Sequence, residues 1–191
     1  MGLVHSSLVA VGLALWSAAA MTLGDWIWAA LALRHRPQYG LAHGTLLCLW
    51  MGLYLGLLTR RVAGGAAGGA AVGFLAAGSF YALAPVVGYS AMFASWIFLW
   101  MALVALTAWL FRARVSTRGW VARAVVASLG SAAAFYAVSG IWMGASGPPD
   151  YAWHFVAWTI AFLPGSLAML WKTLQPGART ISSTPESHPI A

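Results

Sequence analysis

The chain has 191 residues, 62% hydrophobic and 7% charged, with a net charge of +7 and a mean hydropathy of +0.81. Soluble domains carry about 25% charged residues, so this composition excludes a water-soluble enzyme and points to an all-α, polytopic transmembrane helical bundle. The arginines stand in short clusters beside apolar runs, Arg34/Arg36, Arg60/Arg61 and Arg112/Arg114/Arg118, which is how flanking charges set topology and excludes a nucleic-acid-binding arm.

The first predicted span runs from about Leu8 to Leu33. At 1.5 Å per residue it is long for one crossing, so tilt or a distortion near Gly24 is expected. It follows no Lys/Arg-rich segment and outruns a signal-peptide core, which reads as a retained helix. Asp25 is the only charged residue in this run and one of three acidic residues in the chain. A carboxylate inside a membrane helix needs a partner, a proton or water, and so marks a functional site. Ala18, Thr22, Asp25 and Ala29 share a face by three- and four-residue spacing, and Trp28 flanks it. Counting to Leu33 puts Asp25 about 12 Å below the outer end of its helix.

The second span runs from about Leu41 to Leu58, after the turn RHRPQYG, and carries His43 at its start. Gly44, Cys48, Gly52 and Gly56 recur every four residues. The third runs from about Val62 to Leu83 and ends near Pro85. It places Gly64, Gly68 and nearby Gly73 close to one face, with Gly65, Gly69 and Gly73 beside them. Small residues at this spacing let helix backbones approach where water supplies no drive. The two stripes are expected to meet each other or a second copy, and a homo-oligomer or larger membrane complex is one expectation. Cys48, the single cysteine, fits the stripe as a small packing residue. The segment GGAAGG follows no strand and lacks Lys-Ser/Thr, so it is not a phosphate loop.

The fourth span runs from about Tyr89 to Phe111 and the fifth from about Trp120 to Met143. Gly144–Asp150 is a turn. The sixth runs from about Tyr151 to Leu170, with His154 and Trp158 on one face. Pro164-Gly165 below them is a candidate hinge or backbone ligand, because proline frees a carbonyl. Residues 1–174 thus form the transmembrane domain. Residues 175–191, rich in Ser, Thr and Pro, are expected to be a flexible cytoplasmic tail.

Six spans with both termini cytoplasmic put Arg60, Arg61, Arg112, Arg114, Arg118, Lys172 and Arg179 inside, plus Arg123 near the membrane edge, and only Arg34 and Arg36 outside. That split follows the positive-inside rule. The expected location is an integral membrane protein of a bacterial cytoplasmic (inner) membrane, in contact with lipids and binding no nucleic acid. Gly78-Ser79 before Phe80-Tyr81-Ala82 is echoed by Gly130-Ser131 before Phe135-Tyr136-Ala137, which favours packing in hairpin pairs. Trp120, Trp142, Trp153 and Trp171 fall near span ends, where indoles prefer the headgroup boundary. Trp16, Trp50, Trp96 and Trp158 fall deeper, in helix cores or around a pocket for an isoprenoid, a lipid or an aromatic cofactor.

On this topology Asp25, His43, His154, Tyr39 and Tyr151 gather in the outer half. The preferred reading is a channel or transporter that moves a small solute, ion or proton through an outward-facing polar pocket. Asp25, His43, His154, Thr22, Tyr39, Trp28 and Trp158 would form the pathway, since a buried carboxylate binds a cation or carries a proton and imidazole titrates in the useful range. An alternative is an intramembrane lipid-modifying enzyme, with Asp25 and a histidine as acid–base pair and Arg34 and Arg36 holding an anionic head group. Another is a subunit of a membrane complex, non-catalytic or binding haem or a metal at His43 and His154, although no HExxH, CxxC or CxxCH signature is present.

Overall fold

The computed structural model describes residues 2–31, 36–112, 116–143 and 150–171, with the side chains of 2–3 and 139–143 left aside. The proposed tail, Arg34 and Arg114 lie outside the described residues. The described chain is all-helical: α1 (Gly2–Ala30), α2 (Pro37–Thr59), α3 (Val62–Val87), a single 3-10 turn at Gly88–Ser90, α4 (Ala91–Phe111), α5 (Thr117–Met143) and α6 (Tyr151–Leu170). Five helical stretches are long and apolar enough to cross a membrane. The longest, Val62–Phe111, has 50 residues and contains both α3 and α4. As one straight rod it would reach about 75 Å, over twice the roughly 30 Å hydrocarbon core. Gly88 breaks it with φ 61 and ψ −144, backbone angles that glycine alone adopts readily. α4 then runs back along α3, pairing Ser79 with Ser95, Gly68 with Leu106 and Gly64 with Trp109.

Several boundaries differ from the sequence expectation, for local reasons. α1 begins six residues earlier than Leu8, ends at Ala30 and passes through Gly24 without a break. α2 starts at Pro37, within the expected turn; proline suits a first helical position because its N–H would be unpaired there and its φ is preset. Pro85 does not end α3, which continues to Val87.

The helices form a closed ring. Each packs on its chain neighbours, α6 closes onto α1, and α4 also touches α2 and α6 across the middle. Two seams contrast. Between α2 and α3 the backbones nearly touch: a Cβ on Gly52 would strike the Gly65 carbonyl, and one on Gly69 would strike the Cys48 carbonyl. The face of α3 that meets α2 is Gly65, Gly69 and Gly73. Gly64 and Gly68 instead lie under Trp109 and Leu106 of α4, one helical step round from the face they were expected to share with Gly73. Between α1 and α2 the contact is made by side chains. Trp16 and Trp50 stack at 4.3 Å, and each indole N–H donates to the other's backbone carbonyl, at 2.8 and 3.1 Å. Tyr54 donates to the Val9 carbonyl at 3.0 Å.

Small hydroxyls tie the remaining seams, as expected where apolar burial cannot select a partner. Ser128 donates to the Ile97 carbonyl, linking α5 to α4. Ser131 donates to the Ala161 carbonyl at 2.6 Å and accepts from the Gly165 N–H at 3.2 Å. Those two backbone groups are four residues apart and are ordinary ladder partners, so the hydroxyl clips α6 beside Pro164. Gly165 is buried flat against the Trp100 indole.

Leucine at position 69 has no space against the Cys48 carbonyl, and overpacking of this kind costs about 1–3 kcal/mol or more. Gly69→Leu is expected to lose monodisperse elution in mild detergent. Gly78→Ala, whose Cβ would meet only Leu41 at 3.9 Å, is expected to elute and melt like the parent chain. Equal behaviour of the two variants would show that the α2–α3 approach does not hold the fold.

Candidate functional site

The bundle is solid in one half and hollow in the other. In the half that holds the start of α1 and the end of α6, Leu13, Met51, Leu55, Leu103, Met169 and Leu170 have zero exposure. The other half encloses a cavity of about 510 Å³, to which all six helices contribute. The lining residues come from the middle and C-terminal part of α1, α3 and α5 and from the N-terminal part and middle of α2, α4 and α6. Antiparallel neighbours thus bring six distant stretches of sequence to one end.

Asp25 is the centre of the polar wall. Its Oδ2 accepts the Trp158 indole N–H at 2.8 Å and lies 3.1 Å from His154 Nδ1. The two partners are four residues apart on α6, so one helix face presents both donors. Asp25 retains 27% side-chain exposure and His154 18%, and both line the cavity. The carboxylate is five residues from the end of α1, about 7.5 Å, shallower than counting to Leu33 implies because the helix stops at Ala30.

His43 enters from α2. Its Nε2 is 3.2 Å from the Met21 sulfur, and its ring lies edge-on to Trp28 at 6.1 Å between centroids. Gly24 makes room for it, since a Cβ there would collide with the imidazole. Glycine beside Asp25 therefore serves close packing of a histidine rather than a bend.

An aromatic floor separates hollow from solid. Trp96, Phe135 and Trp158 stack, with centroids 4.6 Å apart for Trp96–Phe135 and 5.6 Å for Phe135–Trp158, and Phe162 packs beneath at 5.3 Å from Trp96. Trp158 belongs to both structures: its ring face builds the floor and its N–H holds Asp25. Tyr81 closes the α3 side, its hydroxyl seated on Gly40 where any Cβ would clash.

The sequence-derived pathway is only partly gathered here. Asp25, His43, His154, Trp28 and Trp158 line the cavity; Thr22 and Tyr39 do not. The Thr22 hydroxyl is buried in the packing with no hydrogen-bond partner. Tyr39 is an exposed residue whose ring meets Trp28 edge-on at 6.3 Å. Arg36 is exposed at the start of α2, and Pro164 and Gly165 lie between α5, α6 and α4, away from the cavity. Of the deep tryptophans, Trp96 and Trp158 line the cavity, whereas Trp16 and Trp50 form the α1–α2 seam. Among the described residues no three His, Cys, Asp or Glu side chains converge as a metal-binding group.

Phe80, Tyr81, Phe135 and Ser95 were not assigned to a site from sequence, yet all line the cavity. A signal for the first three existed in the echoed Phe-Tyr-Ala segments. Ser79, just before Phe80, hydrogen-bonds Ser95 at 3.1 Å, and Ser131, four before Phe135, clips α6. In both segments a serine fastens a neighbouring helix and an aromatic residue faces the cavity. No family model, curated protein or solved structure matches this chain, so the functional reading rests on its own geometry.

Trp158→Phe keeps an aromatic ring in the floor, trims the indole and removes the donor to Asp25. A hydrogen bond to a charged group contributes roughly 1.5–3 kcal/mol, and that loss is expected in reversible unfolding in mixed micelles. In an Asp25→Ala background the same change is expected to cost far less. Equal costs in both backgrounds would place the indole's contribution elsewhere.

Proposed function

We propose that this chain is a membrane carrier that moves a small solute in exchange or together with protons, through the cavity around Asp25. The observation that carries this reading is the carboxylate–imidazole pair at 3.1 Å in the wall of a cavity that ends on an aromatic floor above a filled half-bundle. Such a cavity accepts a small molecule from one side only. An ionisable pair at membrane depth is costly and belongs with ion or proton handling. Imidazole changes charge between about pH 5 and 8.

The proposed topology is six crossings, with α3 and α4 counted separately, and both termini cytoplasmic. Two features support it: the antiparallel return at Gly88, and the distribution of cations. Arg60, Arg61, Arg112, Arg118 and Arg123 lie at or near the solid end, against Arg36 at the hollow end. The positive-inside rule then turns the cavity outward. A bacterial cytoplasmic membrane remains part of the same proposal.

The test is proton movement into pyranine-loaded proteoliposomes under a potassium–valinomycin potential. Asp25→Asn is expected to cut the flux at least about tenfold while the variant keeps the parent's elution profile. Parental flux in that variant would remove Asp25 from the mechanism. Turnover of an added phospholipid by purified protein, lost in His154→Ala, would replace transport with catalysis. A partner that stays bound through purification of an otherwise inactive chain would favour the subunit reading.

A further inference from the structure

We infer that the cavity takes an organic cation with an apolar, ring-bearing body. This inference rests on the carrier reading and names its substrate class.

Charge decides the sign. Among the described residues, Asp25 is the only carboxylate in the cavity wall and no Lys or Arg lines it. An anion would be set against a carboxylate, and a purely apolar molecule would cover its exposed part without offering it a further polar partner, which is unfavourable. The two described donors to Asp25 both bind Oδ2, and the side chain retains exposure to the cavity. The site therefore holds a carboxylate fixed in place and still facing its ligand.

Size and lining decide the rest. A bare metal ion or Na⁺-like cation needs several oxygen ligands around one point. The described wall offers a carboxylate, two tyrosines and one serine spread over three helices besides α1, and no three-residue metal group. The volume of about 510 Å³ falls in the range of small-molecule pockets, about 300–1,000 Å³. Trp28, Phe80, Tyr81, Trp96, Phe135 and Trp158 furnish ring surface on several sides of it. Aromatic faces attract a cation placed over them and also bury its apolar groups, so one wall recognises both parts of such a ligand.

The experiment uses the full chain in nanodiscs and two probes of nearly equal shape, permanently charged methyltriphenylphosphonium and neutral triphenylphosphine oxide. Titration calorimetry is expected to show methyltriphenylphosphonium binding at least about tenfold tighter than the oxide. Asp25→Asn should erase the preference and Asp25→Glu should retain it. The comparison on the unmodified chain needs no variant to fold. Equal or tighter binding of the oxide would overturn the inference, as would an undiminished preference in folded Asp25→Asn. Ethidium uptake into DNA-loaded proteoliposomes under a pH gradient separates the two readings. Cation binding without uptake keeps the ligand class and removes the carrier. Proton-coupled flux with no cation binding keeps the carrier and removes the class.

Discussion

The Asp25 carboxylate joins the first helix of this chain to the last. Between apolar helices in lipid there is no hydrophobic drive to choose a neighbour, so close packing and hydrogen bonds must do so. α6 offers two donors one turn apart, and α1 offers the one acidic group in its length. This contact closes the ring. It also fixes the charged group in the wall of the space that the ring encloses. A substitution at Asp25 therefore acts on both architecture and chemistry, and only measurements that separate folding from charge can tell them apart.

The two α2 seams show two ways of filling the gap between helices. Against α3, glycine removes the side chains and the backbones approach. Against α1, tryptophan, tyrosine and histidine fill a wider gap, and each finds a hydrogen-bonding or sulfur partner there. The first seam has no slack, because carbonyl oxygens oppose Cα atoms. The second is built from rotatable side chains. At the hollow end the α1–α2 seam also makes room for a ring, the His43 imidazole lying where a Cβ on Gly24 would be.

Much of the architecture could be read from hydropathy, because an apolar run of about 20 residues has few alternatives to a membrane-long helix. The α6 boundaries match the sequence expectation because Asp150 caps the helix: its Oδ1 accepts from the Ala152 and Trp153 N–H groups at 3.0 and 3.1 Å. Pro37 and Pro85 misled in the same way, since proline marks a boundary only when its position forbids the helix. Asp25, His154 and Trp158 were legible because a lone carboxylate demands a partner and residues four apart share a face. The misplacement of Thr22 and Tyr39 has a different cause. Helical spacing gives a face only to within a step, and which neighbour that face meets is a tertiary fact. The same ambiguity exchanged Gly64 and Gly68 for Gly65 and Gly69 at the α2 seam.

A carrier with this cavity has to open its solid half, and the packing narrows where. The floor is stacked from three helices and clipped below by Ser131, with Trp100 laid against Gly165. The α2–α3 pair behaves as one body, since neither backbone can slide without a clash. α1 is held differently: by Asp25 and close packing to α6 on one side, and by the Trp16–Trp50 pair and its neighbours on the other. It is the helix whose contact with one neighbour is made mainly by side chains. On the proposed carrier reading, the carboxylate that would meet the ligand is also the group that holds α1 to α6, which is the coupling that a carrier requires.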